Sequence, residues 1–349
     1  MICVSMKLLK NISKITAFIV LLFCNIQMLA QDLHFSQFMN SPLIINPANT
    51  GFIPQADYRL GGNYRSQWTS LSVPFVTGSF FADFQLLRNK MKNGWLGGGV
   101  IILHDVAGRG KLRSSKQYVS LAYHQMLGFS SLLSGGFNIG LASKRININE
   151  YIFDNQWNGK FFDAKIPNGE TSFQTSNISY LDLQAGLNYA YFPTSKAYVN
   201  AGFSIHHLNR PRESFLGSDN QVPERYIGFI NGSLKLNDMW IINTNAYYSV
   251  QARATETVFG INASNNVLGN GDFILLGGLY YRVKDAAIAM IGFERKNIKV
   301  TFTYDATVSL LNSFNNGRGA WEFSLMKNGY YNQQDKKLLR QSMCPTFSL

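Results

Sequence analysis

The sequence predicts an all-β protein, a transmembrane antiparallel β-barrel of fourteen strands with an extended segment in front of it and long extracellular loops. Three observations predict this class. Aromatic residues make up 14% of the chain and glycines number 30, while charged residues are only 15%. Apolar and polar residues alternate with a period of two over segments of about ten residues, the length a tilted strand needs to cross a hydrocarbon layer. No run after the leader is long and apolar enough to cross as a helix.

The first element is a leader over residues 1–30. Lys7, Lys10 and Lys14 precede the apolar run Ile15–Phe23, and Met28-Leu29-Ala30 offers a small residue before a cut at Gln31. That is the order of a secretory signal peptide, too short to span a bilayer. Cys24 would suit lipidation, but Phe23 stands where a small residue is needed. Losing three lysines and no acid lowers the formal charge of +12 by three, to +9, and leaves Cys344 without a disulfide partner.

A lead-in segment follows over 31–55. Its stretch HFSQFMNSPLIINPANTGF (34–52) holds two prolines, three asparagines and no ionisable side chain but His34. Pro42 and Pro47 each remove a backbone donor and fix φ, which excludes one continuous helix. Alternation is too poor for a long strand. The expectation is an extended, proline-stiffened piece tucked into or under the lumen.

The barrel is expected over 56–327, with strands near 56–68, 73–87, 95–104, 115–126, 131–145, 180–191, 196–207, 224–236, 240–250, 256–264, 273–282, 286–295, 298–308 and 319–327. Tyr58, Leu60 and Tyr64 alternate with Arg59, Asn63 and Arg65; Leu181, Leu183 and Leu187 oppose Asp182, Gln184 and Asn188. Val300, Phe302 and Tyr304 likewise oppose Lys299, Thr301, Thr303 and Asp305. Such a dyad gives each strand one apolar and one polar face, facing lipid and lumen respectively. Asp83, Asp182 and Glu294 are then lumen charges, expected to pair with Arg59, Arg65 or Arg282. Trp68, Trp95, Trp240 and Trp321 fall near strand ends, where aromatic girdles form.

An even strand number places both chain ends on the periplasmic side, with short turns there and longer loops outside. The connections after odd strands include HDVAGRGKLRS, the 146–179 stretch and LNRPRESFLGSDNQVP. HDVAGRGKLRS superficially resembles a phosphate loop, but Leu112 replaces the hydroxyl residue and the leading Gly is missing. It reads as a basic extracellular loop facing lipid phosphates. The 146–179 stretch is too long for filler. Its Phe153, Trp157, Phe161, Phe162 and Phe173 would form a rim cap, an inward plug or a partner contact. Residues 328–349 would be a periplasmic tail.

No G-x-S-x-G, H-E-x-x-H or Cys/His cluster occurs. His206 and His207, as neighbours on a strand, would point to opposite faces and not chelate one ion. His104-Asp105 has no nucleophile placed beside it. Cofactor, metal and catalytic residues are all expected to be absent. The basic excess in an exported chain points to outer-membrane lipid or an acidic partner and away from nucleic acid.

Several motifs together resemble a known family. They are Phe35-Ser36-Gln37-Phe38-Met39, Asn46-Pro47-Ala48 with Gly51, Tyr64-Arg65-Ser66-Gln67-Trp68, Tyr304-Asp305, and Gly319-Ala320-Trp321-Glu322-Phe323-Ser324-Leu325. Cys344-Pro345-Thr346-Phe347 is similar to its C-terminal ending, with Thr346 in place of the usual basic residue. This is the PorP/SprF family. The resemblance implies an outer-membrane protein of Bacteroidota linked to type IX secretion and gliding motility. It would be an accessory barrel that helps export or retain a cargo protein through that cargo's C-terminal domain, together with other secretion components. It gives Phe35, Ser36, Asn46, Pro47, Gly51, Arg65, Trp68, Asp305, Cys344, Pro345 and Phe347 as motif positions without a known role. The alternative expectation is an outer-membrane transport pore for small solutes, since fourteen strands can enclose a usable lumen.

Overall fold

The computed structural model describes residues 32–331, apart from 55, 69–74, 89, 109–110, 164, 168, 170–174, 270 and 310–316. The expected leader, Phe173, Cys344, Pro345, Phe347 and nearly all of the expected tail lie outside the described residues. The strands are β1 Tyr58–Gln67, β2 Phe75–Leu86, β3 Gly94–Ala107, β4 Leu112–Met126, β5 Ser131–Arg145, β6 Asn177–Thr194 and β7 Ala197–His206. They continue as β8 Arg225–Lys235, β9 Trp240–Gln251, β10 Ala254–Asn266, β11 Phe273–Arg282, β12 Ala286–Arg295, β13 Ile298–Thr307 and β14 Arg318–Gly329.

Each strand pairs antiparallel with its sequence neighbours, and β1 closes on β14 from Tyr58↔Gly329 to Gln67↔Ala320. The expected fourteen-strand closed barrel is what forms. The outer face is apolar: Leu121 and Leu141 are both 63% exposed and Leu279 68%. Buried in a lipid layer, that surface is stable; in water it would be an aggregation site. The beginning of β1 and the end of β14 lie at one end and the long connections 146–176 and 207–224 at the other; in barrels of this kind short turns mark the periplasmic end and long loops the outer end.

The expected contrast of loops is weaker than the sequence suggested. β3 and β4 stay in register as far as Ala107↔Leu112, so only 108–111 remain of the supposed HDVAGRGKLRS loop. β9 and β10 are joined by two residues, 252–253. Above the bilayer the ladder simply continues, because paired backbone groups are as well satisfied there as in lipid.

Two further expectations are corrected. The lumen is not uniformly polar: Phe81, Ile101 and Tyr118 on one side and Ile227, Phe229, Tyr247 and Ile288 on the other form buried apolar patches. Trp95 is not part of a girdle; it is 1% exposed and its indole Nε1 donates to the Gly51 carbonyl at 2.9 Å. Trp240 is exposed at the periplasmic end of β9, and Trp321 packs against Tyr64 in a tilted arrangement with 5.2 Å between centroids.

The lead-in segment lies inside the barrel. It is not extended: it makes three short helical turns, Phe38–Asn40, Pro42–Ile45 and Pro47–Asn49. Pro42 and Pro47 stand at the first position of their turns, where the missing N–H removes no hydrogen bond. Asn46 caps the last turn by accepting from the Ala48 N–H at 2.8 Å. Prolines that exclude a long helix thus permit a series of brief ones.

Candidate functional site: a plug locked into the lumen

The segment runs down the barrel from the outer end to the periplasmic end. Asp32 sits beside Lys116, His207 and Gln251, while Phe52 packs with Trp95, Leu132 and Phe192. The expectation that both ends of the chain face the periplasm therefore fails for the described N-terminal part. Phe35 and Leu43 fill the apolar patch of β2–β4, and Phe38 and Ile45 fill that of β8–β12. The lumen side chains that break the polar dyad are the ones that bury this segment.

Glycines in the wall let it approach. A Cβ at Gly186 would lie 2.0 Å from the Asn46 Oδ1, and one at Gly97 would lie 1.9 Å from the Thr50 carbonyl oxygen. Asn46 uses the space to donate to the backbone carbonyls of Leu187 (2.8 Å) and Phe203 (3.3 Å). Gly51 adopts φ +70°, which favours glycine, and its N–H donates to Asp83 at 2.8 Å. Asp83 in turn pairs with Arg59 at 2.8 Å, as expected of two lumen charges.

The outer part of the segment is held by a charged layer. The backbone N–H groups of Ser36 and Gln37 donate to the two carboxylate oxygens of Glu322, at 2.8 and 3.0 Å. The Ser36 hydroxyl donates to Asp305 at 2.6 Å and accepts from Arg282 at 2.7 Å and from Arg65. Arg65 bridges Asp305 at 3.0 Å and Glu322 at 3.3 Å, and Arg282 reaches Asp305 and Glu256, each at 3.1 Å. Arg65 is 3% exposed and Glu322 0%. Buried charges persist only when paired and hydrogen-bonded, and each of these has several partners.

A second knot lies across the layer. Asp32 pairs with Lys116 and, at 3.2 Å, with the His207 Nε2, whose Nδ1 meets Asp182 at 2.8 Å. The Tyr118 hydroxyl donates to the other oxygen of Asp182 at 2.5 Å. Burial works against the Asp32 carboxylate, but Lys116, His207 and Arg225 hold its pKa well below the usual value. Burial also disfavours charged His207, yet the hydrogen bonds it donates to Asp182 and Asp32 win and raise its pKa. His34 differs: Glu256 favours its charge, but burial and the arginines Arg282, Arg65 and Arg225 bring it down to about 4.

The motif positions thus divide. Ser36, Arg65 and Asp305 meet in one network; Asn46, Pro47 and Gly51 seat the middle and end of the plug; Phe35 is buried in the patch below. Trp68 takes no part: it follows β1 at φ 55° and packs edge-on against Phe75. Sequence reasoning gave Glu322 only as part of a motif and Arg282 only as a lumen cation, and it did not foresee the inward role of the two histidines. It placed His206 and His207 on opposite faces, but both are buried. Strand β7 ends at His206, and the positive φ of 59° at His207 turns its ring inward too. Among the described residues, no group of three or more His, Cys, Asp or Glu side chains could hold a metal ion.

Two other features adjoin the plug. A cavity of about 340 Å³ remains between its lower turns and the periplasmic part of the wall, lined by Asn200, Asn231, Asn243, Tyr198 and Phe229 among others. In the 146–176 connection, Trp157 pairs with Phe162 and both stay about half exposed, as does Phe161. These aromatics form no inward plug.

Several solved outer-membrane structures are similar in fold. The toluene transporter TbuX of Ralstonia pickettii shares 10% identity at TM-score 0.49, covering 83% of this chain and 94% of that one. A FadL homologue of Pseudomonas aeruginosa shares 9% at 0.49, covering 81% and 92%. The toluene transporter TodX of Pseudomonas putida shares 11% at 0.46, covering 84% and 95%. No curated protein matches the sequence. The family model for the type IX secretion system membrane protein PorP/SprF matches residues 28–326, from just before the plug to near the end of β14. A closed barrel with a lipid-facing apolar wall, and a family match over nearly all of it, make this chain an outer-membrane member of the PorP/SprF family of type IX secretion proteins.

Proposed function

We propose that this barrel is an accessory component of the type IX secretion and gliding machinery of a Bacteroidota cell, and that it assists export or surface retention of a cargo protein by binding the cargo's C-terminal domain. The observation that carries this reading is the filled lumen. A barrel whose interior is occupied by its own residues 32–54, tied by buried ion pairs, presents surfaces for docking in place of a route for solutes. The half-exposed Trp157, Phe161 and Phe162 at the outer end supply the large apolar side chains that dominate protein–protein contacts. On this reading no catalytic residue or cofactor takes part.

The test is a deletion strain. Loss of the protein should leave one large secreted cargo in the periplasm or released to the medium, with other type IX cargo unaffected. Normal display of every cargo would overturn the proposal. A steady open conductance of the purified wild-type barrel in a planar bilayer would favour the solute-pore alternative.

A further inference from the structure

On the outer wall, at the extracellular end, Arg113 of β4 stands directly opposite Arg145 of β5. The inward neighbours Ser114 and Lys116 are buried, so the alternation turns Arg113 to the lipid side; on β5, buried Ala142 and partly buried Lys144, which pairs inward with Glu213, do the same for Arg145. Like charges in direct cross-strand register repel. Neither guanidinium has an ion-pair or hydrogen-bond partner among the described residues. Beside them, Lys111 is tied to Glu150 at 3.0 Å, so three cations face one carboxylate. A cleft of about 480 Å³ lies over the group, lined by Lys111, Arg113, Arg145, Asn147, Ile148 and Ser176.

The height of this cleft selects its occupant. Below the arginines, the same outward faces carry the pairs Ser115↔Ser143, Gln117↔Leu141, Val119↔Ile139 and Leu121↔Phe137. The apolar residues among them are 42–63% exposed and face acyl chains. Four residues separate Arg145 from Leu141, which is roughly 13 Å along the strand and about 10 Å along the membrane normal for a tilted strand. That is the level of the headgroups above the hydrocarbon. Two guanidinium forks side by side match the oxygens of one phosphate, and that charge would relieve their repulsion.

We infer that Arg113 and Arg145, with Lys111, bind the phosphate of a phosphorylated glycolipid of the outer leaflet. The lipid's acyl chains then lie along the Val119, Leu121, Phe137 and Ile139 stripe below. The site fixes β4–β5, and with them the base of the 146–176 connection, at a defined depth in the membrane.

The test compares wild-type full-length protein with R113Q/R145Q in detergent and in nanodiscs carrying phosphorylated or dephosphorylated lipid A. Affinity of the wild type for phosphorylated lipid A should exceed that of R113Q/R145Q about tenfold or more. Its melting temperature should rise with that lipid and not with the dephosphorylated form. In lipid-free detergent the double variant should melt at the same temperature as wild type or higher, because a repulsive pair has gone; this also shows that it folds. R113K/R145K should retain part of the affinity. Equal binding by wild type and R113Q/R145Q would overturn the inference. Equal stabilisation of wild type by inorganic phosphate alone would overturn the lipid assignment.

Discussion

The carboxylate of Glu322 accepts the backbone N–H of Ser36 at 2.8 Å across 286 residues of sequence. It accepts Gln37 N–H with its other oxygen, and Arg65 lies against it at 3.3 Å. One side chain from the last strand thereby fixes the first described turn of the chain and a cation of the first strand. Closing the barrel and seating the plug are coupled through this group.

Replacing Glu322 by Ala should be severely destabilising. It orphans two buried N–H groups and removes one of the two carboxylates facing Arg65. Breaking a buried pair in this way costs about 3–5 kcal/mol. Thermal unfolding followed by heat-modifiable gel mobility would measure it. A loss below about 1 kcal/mol would mean that the layer is hydrated and far weaker than its geometry implies.

Gly186 and Gly277 provide a matched pair. A Cβ at Gly186 meets Asn46 Oδ1 at 2.0 Å and Pro47 Cδ at 3.1 Å, whereas one at Gly277 meets nothing within 4 Å. Gly186→Val should displace the plug at a cost of about 1–3 kcal/mol, and Gly277→Val should be close to neutral. Protease cleavage within residues 32–52 of the folded barrel would report the displacement.

Removing residues 34–52 takes the Ser36 hydroxyl from Arg65 and Arg282, both backbone N–H donors from Glu322, and the side chains that cover the two apolar patches. The shortened chain should either fail to fold or form a barrel with a steady conductance absent from the wild type. Normal folding with unchanged conductance would show that the segment does not occupy the lumen.

His207 should make stability depend on pH. Burial opposes its charge and Lys116 repels it, but Asp182 and Asp32 prevail, so its folded-state pKa lies above the ordinary 6.5. Protons are then bound more tightly by the folded form. The stabilisation is fully present below about 6.5 and is lost as pH rises through the higher folded value. Melting temperature should fall over that alkaline window in wild type and stay level in His207→Gln. A rise in wild type would reverse the assigned sign.

The wall of the barrel was legible because its signal is local. Tyr58 to Arg65 shows by its own alternation which side chains face lipid, and antiparallel hairpins carry that pattern from one strand to the next. Strand number, closure and the lipid-facing surface follow from it. The interior was not legible in that way. Phe81, Ile101 and Phe229 break the dyad, and nothing near them in sequence says that residues 35–45 cover them. The prolines of the lead-in segment told what it could not be, but not that they would begin two of its three short turns.

By itself, then, the sequence determined the alternation, the approximate strands and the motif residues. Only the tertiary structure decided that Ser36, Arg65, Asp305 and Glu322 share one buried site, and that His207 turns inward to join Asp32 and Asp182. The physical reason is range. A two-residue period is set by the backbone of each strand, whereas a buried charge has its partner chosen by the closed cylinder that brings distant segments within hydrogen-bonding distance.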